Sequence, residues 1–231
     1  MHGTLEGTRG ITLKALLVVL VIIGVIVALL VPVFTKMKDD AISAACRANL
    51  RKIGMAVQQY ATDYNEFVPP AQWCGPKGAV PWTECLKDYL GNDYPAVYKC
   101  AGKIGTNIAY AVNYKTFGRN VQKMKKPNSK CTTLKQIGDK AKTIYILDTG
   151  KVTQATKDKP PTEWEETPED APSYCRVTTA DKYWTEDPVR PMPRHANKVN
   201  CLMVGGSVKS YLVGDIIEPD EGSEACLWDA K

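Results

Sequence analysis

The chain has 231 residues, 44% of them hydrophobic, and a formal net charge of +5 at pH 7. Its lysines and arginines are scattered, and the densest group (Lys123, Lys125, Lys126, Lys130) has no aromatics between its charges, so it reads as a solvated loop and weighs against nucleic acid as a partner. With two histidines, His2 and His195, and neither a nucleophile elbow nor a Gly-rich phosphate loop, the sequence gives no basis for an enzyme.

The amino terminus is a short polar leader, residues 1–10, closing in Arg9-Gly10 before Ile11-Thr12-Leu13. Twenty uncharged positions follow, from Ala15 to Phe34. At about 1.5 Å per residue they cross a hydrocarbon core of roughly 30 Å. A secretory signal has a shorter apolar core and a small-residue cleavage site after it, whereas Lys36, Lys38, Asp39 and Asp40 follow here. Ser43-Ala44-Ala45-Cys46 falls beyond those charges and lacks the leading Leu of a lipoprotein box. The helix is therefore expected to be retained. Inside it, Pro32 removes the amide that would bond the Ala28 carbonyl, and Gly24 lowers helix propensity by roughly 1 kcal/mol. Membrane helices tolerate both, and both also suit a segment that melts where neighbouring helices pack closely.

All eight cysteines (Cys46, Cys74, Cys85, Cys100, Cys131, Cys175, Cys201, Cys226) lie after this run, with no Cys-x-x-Cys pair. Zinc, haem and redox motifs usually need that close spacing, so no metal is expected at them, and disulfides in an oxidising compartment account for them better. That places the amino terminus in the cytoplasm and residues 36–231 outside, while leaving the pairing open.

Helical periodicity continues past the membrane run. Ile42, Cys46, Leu50, Ile53, Val57, Tyr60 and Tyr64 draw one apolar stripe, and Pro69-Pro70 ends the helix near Phe67. The remaining residues, 68–231, are enough for one core. Residues 69–99 read as loop with a short helix near Glu84 to Tyr89. Asn107 to Tyr114 and Lys142 to Asp148 read as strands. Lys198 to Val204 and Ser207 to Val213 predict a hairpin across Gly205-Gly206, with positive φ at both glycines. The segment from Asp158 to Asp170 is acidic and Pro-rich and reads as a surface loop; Asp215 to Asp229 is also acidic, and calcium is the one cofactor these loops bring to mind, though no ligand spacing is specific. The five tryptophans and eleven tyrosines suit head packing and an adhesive surface equally.

ITLKALLVVLVIIGVIVALLVPVF resembles the amino-terminal helix of type IV pilins and type II secretion pseudopilins. CRANLRKIGMAVQQYATDYNEFVPP looks like the stem of a large bacterial subfamily of these proteins. TLKQIGDKAKTIYILDTG resembles its internal strand, and RHANKVNCLMVGGSVKSY its His-x9-Asp-Gly motif, with His195 and Gly205-Gly206 at the two ends. The resemblance implies an α+β fold, a long helix on an antiparallel-sheet head. It divides the chain into a leader (1–10), a transmembrane and assembly helix (11–35), an amphipathic stem (36–67) and a disulfide-containing head (68–231). It implies cleavage after Gly10 and methylation of Ile11 by a prepilin peptidase and N-methyltransferase. Single-pass residence in the inner membrane would follow, then self-assembly by a platform and ATPase into a periplasmic or extracellular filament. Two departures stand out. The family's Glu in this helix, which neutralises a neighbour's terminal amine during assembly, is replaced by Ala15 beside Lys14, and Gly205 stands where the motif has Asp. The pseudopilin that lacks this Glu sits at a filament tip, so a minor or tip subunit acting as a binding module is a second expectation. An uncleaved, singly anchored envelope protein is a third.

Overall fold

The computed structural model describes residues 13–75, 78–103, 105, 108–121, 132–170, 174–175, 179, 184–220 and 223–229. Helix α1 runs Leu13–Asp63, uninterrupted at Gly24 and Pro32. After it come β1 (Gln72–Gly75), β2 (Gly78–Pro81), α2 (Trp82–Cys85), α3 (Lys87–Leu90), β3 (Tyr110–Asn113), α4 (Tyr114–Phe117) and β4 (Arg119–Val121). The chain continues through β5 (Ile144–Lys151), β6 (Tyr174–Cys175), β7 (Val189–Pro191), β8 (Lys198–Met203), β9 (Val208–Leu212) and α5 (Val213–Ile217).

Two units divide the chain, residues 1–39 and 40–231. In the first, the large apolar side chains from Leu16 to Phe34 are 44% to 68% exposed on every side of the helix. Among the described residues this is the one helix long and apolar enough to cross a membrane.

The second unit is built on a sheet in the order β6-β3-β5-β8-β9, with β7 also paired to β5. The sheet is mixed rather than purely antiparallel, because β6 lies parallel to β3; in a smaller sheet β4 lies parallel to β1. The amphipathic part of α1 covers one face. Cys46, Leu50, Ile53, Val57 and Tyr60 pack there with Tyr110, Val112, Tyr145, Ile146 and Leu202. Ala56 and Ala61 widen the expected stripe, and Gly54 brings the helix closest: a Cβ there would lie 2.8 Å from Leu202 Cδ1. The other face carries Ala111, Ile144, Leu147, Val199, Cys201 and Met203 under α5 and Trp228. Covered on both faces, β5 is buried from Ile144 to Gly150 and cannot alternate in polarity along the chain. A bulge between Ile144 and Ile146 lets consecutive Tyr145 and Ile146 serve the same face.

Two sequence expectations shift by local backbone geometry. The stem ends at Asp63, four residues early, because Asn65 and Glu66 adopt φ of 52° and 66°, which a helix does not admit. Tyr64 is consequently off the stripe and half exposed, stacked on Tyr60 at 4.2 Å. The β8–β9 connection is not a two-glycine turn. Gly206 alone has positive φ (85°), its amide donates to Met203 O, and Met203 N donates to Ser207 O, a tight turn closed by a left-handed glycine. Gly205 serves close approach instead, donating its amide to Lys140 O at 2.8 Å. The turn with positive φ at both central positions is Ala196-Asn197 (50° and 62°), just before β8.

Candidate functional site

The Ala196-Asn197 turn presents His195. The backbones of His195 and Lys198 bond to each other at 3.3 and 3.0 Å, which fixes the ring against the end of β5. There its Nε2 lies 3.3 Å from Asp148 Oδ2, with both side chains at most 1% exposed. Asp148 Oδ2 also accepts from the Asn200 amide of β8 at 2.8 Å. The sequence flags Asp148 only as the polar end of an apolar strand; a carboxylate inside such a run was the available signal that a buried partner existed.

The same Nε2 is 3.6 Å from Cys100 Sγ, and Cys100 Sγ is 2.7 Å from Cys46 Sγ on α1. Tyr110 of β3 belongs to the same buried cluster as Cys46. Cys46, Cys100 and His195 are the one group of three potential metal ligands converging among the described residues. The described carboxylates of the two acidic segments, 158–170 and 215–229, form no such group.

Charge reinforces the geometry. Burial alone would push His195 down, but Asp148 and Cys100 together lift it to about 9, so the ring is cationic at neutral pH and forms a buried ion pair with Asp148. A hydrolytic Cys-His-Asp arrangement needs the thiol and the carboxylate on opposite ring nitrogens. Here both face Nε2, and Nδ1 has no partner among the described residues. The cluster therefore fastens elements together: β5, the β7–β8 turn, the Cys100 loop and α1 meet at it.

A second buried network adjoins it. Arg194 donates from Nε to Glu166 Oε2 at 2.9 Å and from Nη2 to Glu166 Oε1, and reaches Thr149 O and Ala109 O as well. Lys103 Nζ bonds Glu166 Oε1 at 3.2 Å and Glu169 O at 2.7 Å. The segment expected to be a surface loop is thus anchored through a Glu166 side chain only 5% exposed. An acidic segment reads as exposed unless its cations are known, and they come from positions 103 and 194. Farther along, the buried Arg190 guanidinium stacks 3.8 Å over Trp184 and 5.9 Å from Trp164. Trp82 and Trp228 are fully buried, so the four tryptophans with described side chains pack the head.

The other expected residues fall as follows. Gly10 and Ile11 lie outside the described residues, as do the lysines from 123 to 130 and Cys131. Of Cys74 and Ala15 only the backbone is described, in β1 and α1; Lys14 is exposed. Of the other disulfide candidates with described side chains, Cys85, Cys201 and Cys226 carry free thiols and Cys175 is buried in β6. Cys175 and Cys201 stand on strands separated by β3 and β5, about 14 Å at the usual strand spacing and beyond disulfide reach. Burial pushes the Cys85 thiol up to about 11.

Searches with this chain find no matching family model, no matching curated protein and no matching solved structure.

Proposed function

We propose that the chain is a structural subunit of a type IV pilus-like filament or a type II secretion pseudopilus, with a pilin-like α+β fold. The observation that carries this reading is α1. Behind Gly10-Ile11, its first part leaves apolar side chains uncovered on every side, while from Cys46 onward one stripe is buried in a folded head. A helix of that kind holds a subunit in lipid and then exchanges lipid for the helices of neighbouring subunits. On this reading the prepilin sits in the inner membrane with its leader in the cytoplasm. A prepilin peptidase cuts after Gly10 and methylates Ile11, and a platform and ATPase draw the subunit into a periplasmic or extracellular filament.

Ala15 favours a second reading, a minor or tip subunit. A subunit without the carboxylate that would pair with a neighbour's terminal amine leaves a buried charge unmatched inside a shaft, but not at its end. Mass spectrometry of the amino-terminal peptide from native cells tests both. N-methylated Ile11 supports processing, and its abundance in sheared filaments separates shaft from tip. Gly10→Trp should abolish cleavage; normal processing of that variant, or a wild-type peptide still beginning near Met1, would overturn the proposal.

A further inference from the structure

Cys46 is the first fully buried residue of α1, and Cys100 approaches it from the loop before β3. Their sulfurs, 2.7 Å apart, are closer than the roughly 3.5 to 4.0 Å that non-bonded heavy atoms keep. Two chemistries bring cysteines together in this way: a shared metal and a covalent bond. Two thiolates on a tetrahedral ion, each at about 2.3 Å, stand about 3.8 Å from one another, much farther apart than this pair. A metal-bound histidine also has its second nitrogen held by a partner, whereas His195 Nδ1 has none among the described residues and Nε2 is taken up by Asp148.

We propose that Cys46 and Cys100 are a modification site, oxidised to a disulfide that fastens the beginning of the buried stem to the head. The oxidant is a dithiol partner in its disulfide form. A cavity of about 400 Å³ lined by Cys46, Asn49, Lys99, Cys100 and Lys103 reaches the pair. In the reduced state the contact with Cys100 keeps Cys46 below the ordinary thiol range while the contact with Cys46 and burial push Cys100 up, so Cys46 is the sulfur that attacks. Its thiolate displaces one donor sulfur and forms a mixed disulfide. Cys100 then attacks Cys46 Sγ, expels the second donor sulfur and gives up its proton to a released thiolate. Two protein thiols lose two electrons and two protons, and the donor disulfide becomes two thiols. The step depends on an oxidising compartment and not on filament assembly.

The test is peptide mapping of the full-length chain, purified from membranes after acid quenching and alkylation of free thiols. Trypsin separates residues 39–47 from residues 100–103, and a linked pair of these two peptides is the expected product. Reduction should release both and lower the midpoint of thermal unfolding by roughly 10 °C, as closure of a loop this long predicts. Both peptides recovered alkylated, either cysteine linked elsewhere, or one equivalent of zinc whose removal exposes both thiols would each overturn the proposal. Because the link is read between the stem and the head, both beyond the leader, an unprocessed amino terminus leaves this result unchanged.

Discussion

Replacing Asp148 by Asn removes a buried charge while keeping an oxygen for the Asn200 amide, so it isolates the ion pair with His195. In the folded head, His195 is raised from its ordinary 6.5 to about 9, despite burial that acts the other way. A basic group held above its unfolded value contributes stability that is fully present below pH 6.5 and is lost as pH rises through 9. The displacement corresponds to roughly 3 kcal/mol. The range agrees with the 3 to 5 kcal/mol, in order of magnitude, that removing one partner of a buried pair costs. In the Asp148→Asn chain only desolvation and the Cys100 sulfur remain, and the ring should titrate far lower. Denaturant unfolding of the detergent-solubilised full chain, followed by the fluorescence of buried Trp82 and Trp228, measures this. Wild type should exceed the variant by roughly 3 kcal/mol at pH 6 and by much less at pH 10. An equal deficit at both pH values would refute the ion pair and leave only a packing or hydrogen-bonding defect.

Two further substitutions test the geometry around the cluster. Gly54→Leu should destabilise the head by about 1 to 3 kcal/mol in the same unfolding assay, because even a Cβ there falls 2.8 Å from Leu202 Cδ1 in a closed helix–sheet contact; unchanged stability would mean that the stem does not seat as described. Ala196→Gly should be neutral to about 1 kcal/mol stabilising, because the exposed Ala196 holds φ of 50° where glycine is unstrained and the freer unfolded chain offsets part of the gain; a loss above 1 kcal/mol would show that the turn before β8 is not left-handed.

The stem was legible because burial on one side of a helix leaves a period that needs no partner to be seen, and Cys46, Leu50, Ile53 and Val57 follow it. The strands β5, β8 and β9 were legible from their apolar clustering, but the hairpin turn was assigned to the wrong mechanism. Gly205-Gly206 carries the composition of a two-residue turn, whereas the backbone with positive φ at two successive positions uses Ala196-Asn197, where Asn suits the left-handed region and Ala does not. Polar residues were the least legible. Glu166 looks solvated because nothing nearby in sequence says that Arg194 and Lys103 will surround it. Asp148 and His195 each stand inside a recognisable stretch, and only the sheet order brings them to one point.

That convergence bears on how a helix and a head act as one piece. The buried stripe begins at Cys46, only seven residues beyond the last residue of the separate apolar unit, Asp39. A load applied along α1 would therefore meet the partly buried Ile42 and then, at the first fully buried position, the Cys46–Cys100 contact. Behind it the load meets Leu50 and Ile53, then the Gly54–Leu202 approach, and then the Gln58 bond to Val204 O. Apolar contacts at the start of a stripe yield one at a time, because each is worth only a few kcal/mol and peeling loads them in succession. A covalent link at the first position changes that order, since it shares the load with the loop before β3 before Leu50 is disturbed. His195 and Asp148 sit beneath that loop and tie it to β5, which is buried from Ile144 to Gly150. On the filament reading, a covalent bond at Cys46 would hold the stem to the head before the buried contacts behind it are loaded.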